Sequence, residues 1–398
     1  MRFFKDEAER RREFPVVENG IFLGHAGVTI LPRRAADAMK AHAEASCHKH
    51  QEFGEVLRDV ARTRSLCAKL IGANADEIAL LGPTSLGLSL FANGLDWQAG
   101  DEVVYYGDDY PANVYPWTAL ASRGIAAKEL HPDQPGAITP ELVESALTPK
   151  TKLVALASCH YLSGRRINVE AIGRMLREKG VLFSLDAIQT LGAAPLDVEF
   201  VDFLSADAHK WMLGPMAMGI VFVARRNFEK CRPTLLGAWN VKSPDFIAQK
   251  EIAFEETARR YEPGVLNIAG MYGMKASLEM LLEIGLENVQ SGILENRDYL
   301  EDKLSAAGFE FLSPRVGDPM RSGILTTRHA SIESGAIFSR LEAAGIVASL
   351  RKSHCGRNWI RFSPHFYNTI NEMERVAEIM TRDCCRGKKI NFKARILI

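Results

Sequence analysis

Short runs of β-branched and aromatic residues recur between residues 102 and 224, each separated from the next by a longer amphipathic stretch. The runs Glu102–Tyr106, Ile125–Leu130, Leu153–Ser158, Val181–Asp186, Phe203–Ala206 and Met218–Ala224 are predicted strands. Between them, Asn113–Ser122, Pro140–Leu147 and Val169–Lys179 are predicted helices. Strands of this length alternating with helices build βαβ units, hence an α/β fold with a mainly parallel sheet covered on both faces. In such sheets ligands sit beyond the carboxyl ends of the strands.

After about Pro263 the texture changes. Asn267–Ile284 and Leu286–Ala307 are predicted long helices, and a shorter sheet follows with Gly323–Thr327, Val347–Arg351 and Trp359–Ser363. Ser331–Ala344 and Asn371–Cys385 are predicted to flank it as helices. The expected organisation is a large domain over residues 16–263 and a small α+β domain over 264–398, to which residues 1–15 add a helix. The tail Arg386–Ile398 joins a basic cluster to an apolar end and is open to either a strand or an arm.

The chain is 398 residues long, enough for roughly two or three domains and a large core. Lys plus Arg and Asp plus Glu both number 49, so a nucleic-acid or anionic-membrane partner has no electrostatic basis. The charged segment from Met1 to Glu13 lacks a signal-peptide core, and no apolar run spans a bilayer. Seven scattered cysteines do not make a disulfide framework, and a reducing, cytoplasmic setting is expected.

The most informative residues are Asp186-Ala187-Ile188-Gln189 and His209-Lys210-Trp211, the latter followed by Gly214-Pro215. An acid ends one predicted strand, and a His-Lys pair follows the next. Pyridoxal phosphate requires that combination: a lysine for its Schiff base and a carboxylate to keep the pyridine nitrogen protonated. These motifs resemble the class V aminotransferase group of fold-type I pyridoxal-phosphate enzymes, over about Phe22 to Asn371. The group includes cysteine desulfurases and isopenicillin N epimerase.

The resemblance implies a large seven-stranded, mostly parallel domain with a small α+β domain, and a homodimer acting on an amino acid or its derivative. It also implies roles. Lys210 carries the Schiff base, Asp186 pairs with the pyridine nitrogen, Gln189 reaches the ring hydroxyl and His209 lies near the phosphate. Gly82-Pro83-Thr84-Ser85-Leu86-Gly87 precedes a helical run, Leu88–Leu95, and Thr84 and Ser85 match the family's phosphate-binding turn. Tyr110 stands where the family stacks a flat side chain on the ring, a place that desulfurases give to histidine. In Trp359-Ile360-Arg361-Phe362-Ser363, Arg361 matches the arginine that grips the substrate carboxylate, with Arg351 as a second anion ligand.

The chain departs from the pattern in places. Val265 replaces a threonine in the element that family dimers lend to the neighbouring phosphate, and Tyr161 stands near a desulfurase asparagine. Asp207 precedes the His-Lys pair and is expected to turn away from a phosphate. Only five residues lie between Cys355 and Arg361, too few for the longer lobe of many desulfurases, and Cys355 is expected to be non-catalytic. Of His42, Cys47, His48 and His50 only Cys47 and His50 are helical neighbours, so a solvated helix end is expected rather than a metal site, and Cys384-Cys385 is expected to be a packing feature. The glycines around Gly192 form no dinucleotide fingerprint, and no Gly-x-Ser-x-Gly elbow is present. The expected activity is class V aminotransferase-like, with desulfurase or other C–S lyase chemistry, or epimerisation, as alternatives.

Overall fold

The structure, a computed structural model, describes residues 2–49 and 53–382. His50, Cys384-Cys385 and the tail from Arg386 lie outside them. In chain order the strands are β1 Ile21–Phe22, β2 Ile78–Ala79, β3 Glu102–Tyr106, β4 Ala126–Leu130, β5 Thr151–Ala157, β6 Leu182–Asp186, β7 Phe203–Asp207, β8 Gly219–Val223, β9 Phe309–Phe311, β10 Leu325–His329, β11 Ile346–Val347, β12 Ser349–Lys352 and β13 Asn358–Phe362.

Two compact units divide the chain. The larger holds residues 28–161 and 165–289, and the smaller holds 1–27, 162–164 and 290–398. Residues 16–27 therefore group with the smaller unit and 264–289 with the larger.

The larger unit is built on a seven-stranded sheet of order β2-β8-β7-β6-β5-β3-β4. β4, β3, β5, β6 and β7 run parallel, while β8 and the edge strand β2 complete the sheet antiparallel. The strands alternate their side chains between two apolar layers. Val104, Val154, Phe183, Leu204 and Phe222 enter one, and Val103, Leu153, Phe203 and Val221 enter the other. Central strands covered on both faces read as continuous apolar runs, which is why β5 to β8 stand out in the sequence.

Helix ends follow local chemistry. Thr139 accepts the Leu142 N–H ahead of Pro140, and Asn168 accepts that of Ala171. The predicted helix over 113–122 is instead a chain of short turns. Pro111 and Pro116 lack amide donors, and Tyr115–Thr118 is the single α-helical turn among them. The helix after Gly82 begins at Thr84 and runs to Gly94.

The smaller unit carries an antiparallel sheet of order β12-β13-β10-β9 and a two-residue parallel ladder of β1 with β11. Leu23, Leu304, Leu325, Ile337, Ile360, Phe362 and Met373 form its core. Helix Ile370–Thr381 starts with a capping box in which Thr369 and Glu372 exchange side-chain and backbone bonds. No described helix is long and apolar enough to cross a membrane.

Candidate active site

In the larger unit, β3, β5, β6 and β7 deliver their following residues to one edge of the sheet. Asp186 is the last residue of β6, and its Oδ1 accepts the Ile188 N–H at 3.0 Å. Burial raises its carboxyl above the ordinary range, while the Ile188 N–H and the charge of Lys210 partly oppose that rise. A buried carboxylate held this way is a ready partner for a cation.

Lys210 follows β7 and is only 7% exposed, with Nζ 5.3 Å from the centroid of the Tyr110 ring. The backbone after it is tightly specified. Leu213 and Ala217 hold left-handed conformations at φ +56° and +57°, which non-glycine residues rarely adopt. Gly192, at φ +88°, packs against this segment so closely that a Cβ there would lie 2.6 Å from the Met212 nitrogen. Trp211 donates its indole N–H to Gln189 Oε1 at 2.8 Å. Gln189 is thereby oriented with its carbonyl toward Trp211, and its amide N–H groups are its means of meeting a further oxygen.

His209 donates Nδ1–H to Asp207 Oδ1 at 2.6 Å, which sets the ring's tautomer and orientation. The Thr84 hydroxyl accepts the Asp207 amide N–H at 2.9 Å, tying the start of helix Thr84–Gly94 to the end of β7. No side chain caps that helix, so its first N–H groups are available to an anion. Asp207 turns its carboxylate onto His209 and against Gly82. A Cβ at Gly82 would lie 2.7 Å from Asp207 Oδ2, a buried oxygen without a hydrogen-bond partner among the described residues.

One buried acid here was not singled out by sequence reasoning. Asp109 accepts the Tyr110 N–H at 2.7 Å and an Asn113 side-chain N–H at 3.0 Å, and Asn113 in turn accepts the Trp117 indole N–H at 3.1 Å. The only sequence signal was an aspartate four residues before an asparagine in a Pro-rich turn.

In the smaller unit, Arg361 on β13 is buried and Arg351 on β12 is exposed. The sheet register places Arg361 opposite Ser349, two residues from Arg351. A Cβ at Gly27 would have an Nη2 of each arginine at 3.8 Å, so the two guanidinium groups converge there. Cys355 sits on the exposed turn between β12 and β13. The Ser353 hydroxyl, 3.2 Å away, and the Arg357 backbone and charge hold its thiol below the ordinary value.

The donor set suits pyridoxal phosphate. An amine lies under a flat ring, a buried carboxylate ends the adjacent strand, and an uncapped helix start with two hydroxyls lies beside a histidine. The family described as Aminotransferase class-V matches residues 21–376. The chain belongs to that family. It is a pyridoxal-phosphate-dependent enzyme of fold type I.

Among class V relatives, a probable cysteine desulfurase of Methanothermobacter thermautotrophicus is 26% identical, over 93% of this chain and 96% of the relative. The uncharacterized aminotransferase YcbU of Bacillus subtilis is also 26% identical, over 91% and 94%. A solved cysteine desulfurase from Thermococcus onnurineus NA1 superposes with a TM-score of 0.88 at 22% identity, over 97% of this chain and 100% of that one. It shares the fold. Among the described residues no group of three or more His, Cys, Asp or Glu side chains is placed to hold a metal ion.

Proposed function

We propose that Lys210 anchors the cofactor and that the enzyme acts on the α-carbon of an amino acid or amino-acid derivative. The observation that carries this is the buried Lys210 amine, 5.3 Å from the Tyr110 ring centroid and electrostatically coupled to the buried Asp186. Pyridoxal phosphate supplies an aldehyde that condenses with amines and a protonated ring that draws electrons from the substrate. Asp186 would hold the proton at the pyridine nitrogen, and Gln189 would donate to the ring hydroxyl. Thr84, Ser85 and His209 would bind the phosphate through N–H and O–H donors. Tyr110 would cover one ring face and keep water from it. The Lys210 amine would also be the base that moves the substrate's Cα proton. Arg361, with Arg351, would bind the substrate carboxylate by paired N–H donors.

The active form in this reading is a cytoplasmic homodimer. Val265, 66% exposed, would present backbone rather than hydroxyl donors to the neighbouring subunit. The absence of a disulfide among the described cysteines supports a reducing compartment.

Cysteine desulfuration is the second reading. It is favoured by the exposed Cys355 thiol, whose ionisation is eased by Ser353 and Arg357, and by the naming of several relatives. Incubating the cofactor-loaded protein with the common amino acids, while assaying keto acid, sulfide and stereochemical inversion in parallel, tests both. Sulfide from cysteine that disappears in Cys355→Ala selects desulfuration. Keto acid or inversion that survives in that variant selects the first reading. No turnover of any amino acid overturns both.

A further inference from the structure

Asp109 is a fully buried acid that none of the roles above uses. It lies in the loop after β3, where its bonds organise that loop beside the ends of the neighbouring strands. Its carboxylate accepts the N–H of Tyr110, the residue whose ring lies over Lys210, and the side-chain N–H of Asn113, itself held by Trp117. Ala157, at the end of β5, lines one small cavity with it, and its backbone adds a minor pull toward the charged form. Ala157 is the register partner of Asp186 across β5 and β6. Asp109 thus stands between the ring-bearing loop and the pair of strand ends that carries Asp186.

We propose that Asp109 is a positioning residue for the cofactor site: it fixes Tyr110 over Lys210, and its negative charge strengthens the hold of Asp186 on the ring-nitrogen proton. This rests on the roles of Lys210, Asp186 and Tyr110 proposed above. Two N–H donors converge on one carboxylate and favour its charged form, while burial, the largest influence, and the like charge of Asp186 oppose it. The balance leaves Asp109 at about 7, where it can change charge within the working pH range of an enzyme.

The other titratable groups around it are known. Asp186 faces it from β6, Tyr106 from β3 and His160 from the loop after β5, with Asp108 beside it on its own loop. Tyr106 and His160 line with Asp109 a cavity of about 10 Å³, close to the space one water needs. His160 bonds through Nε2 to the Asp108 carbonyl at 2.9 Å. Lys210 is the nearby cation and acts on Asp186. A protonated ring nitrogen held by Asp186 would add a second positive charge and lower the Asp109 transition below about 7.

The test uses the cofactor-loaded enzyme. The visible absorption and circular dichroism of the bound cofactor are followed against pH in the wild type, Asp109→Asn, Asp109→Glu and Asn113→Ala. The wild type should show an inflection at or below about 7 that Asp109→Asn lacks and Asp109→Glu regains. Asn113→Ala removes one donor from the ionised carboxylate, so its inflection should move to higher pH. In turnover, Asp109→Asn should lower kcat roughly tenfold with KM changed less than about threefold, the scale of one pKa unit of coupling. An inflection that persists in Asp109→Asn, or one that Asn113→Ala leaves in place, overturns the proposal. If Asp109→Asn does not fold, the Asn113→Ala shift alone decides. Lys210→Ala is the control: a covalent cofactor retained there overturns the underlying reading. Its loss there, with an unchanged Asp109→Asn inflection, overturns only the role of Asp109.

Discussion

At Lys210, alanine removes the amine and leaves the surrounding walls in place. Lys210→Ala should lose the covalent link to the cofactor: borohydride treatment of the loaded protein should label the wild-type chain at residue 210 and leave the variant unlabelled. Label on another lysine would move the anchor. Asp186→Ala should still bind cofactor while losing most exchange of the substrate Cα proton with solvent deuterium. Removing one preorganised electrostatic partner costs about 2.7–4 kcal/mol of barrier, and exchange at the wild-type rate would show that another group holds the ring proton. Arg361→Leu should lose turnover by the equivalent of about 2–5 kcal/mol, the cost of leaving a carboxylate without its charged partner. Cys355→Ala should keep a substantial part of it. The reverse ranking, with sulfide release abolished in Cys355→Ala, identifies a desulfurase.

The lysine-bearing loop between β7 and β8 carries strain that can be relieved at one place. Ala217 is exposed and left-handed, at φ +57°. The conformation costs an alanine about 1–2 kcal/mol, and glycine's extra freedom in the unfolded chain returns about 0.5–1 kcal/mol of that. Ala217→Gly should therefore raise stability by about 0.5–1 kcal/mol, read as a higher denaturant midpoint at unchanged slope. A lower midpoint would mean the turn is held by something glycine loses.

Elements like these were unevenly legible. The strands from β3 to β8 were read within a residue or two, since burial on both faces makes each a dense apolar run. Asp186 and Lys210 were legible because each follows or ends such a run. β2, two residues long, is too short to carry a period, and its antiparallel pairing with β8 comes from the far end of the sheet. The segment from Pro111 to Arg123 has helical apolar spacing, but its prolines break it into turns. Asp109 carries no signal of its own, because a buried acid and a solvated one are spelled alike. Arg351 and Arg361 were named separately, and their convergence at Gly27 depends on strand register, which no local pattern reveals.

Across the whole molecule, the response to acid should be set partly by His25. It is fully buried in the smaller unit, with Nε2 3.0 Å from the Tyr367 hydroxyl, and burial with the nearby His365 puts its value well below the usual 6.5. The unfolded chain therefore takes the proton first. The stability His25 contributes is complete above about 6.5 and declines as pH falls through and below it. Asp109 works in the opposite sense, because its folded value of about 7 lies above the unfolded 3.8. Its contribution is present at low pH and is lost as pH rises through that interval. Comparing wild type with His25→Gln cancels the Asp109 part. The difference in denaturant midpoint should shrink in the variant's favour between about pH 7.5 and about pH 5, whereas parallel curves would show that His25 does not titrate in this range.

The smaller unit draws its strands from both sides of the larger one. β1 pairs with β11, and Leu23 shares a core with Ile360 and Met373. On the ribosome, about 260 residues separate the first part of that unit from its main part, which starts at residue 290. At about 5–20 residues per second, residues 1–27 wait roughly 13–50 s for their partners. Phe14 and Leu23 spend that interval outside the core that finally covers them, while the larger unit can already form. For that interval the chain offers a folding factor a short apolar handle, withdrawn once the rest of its unit has been made.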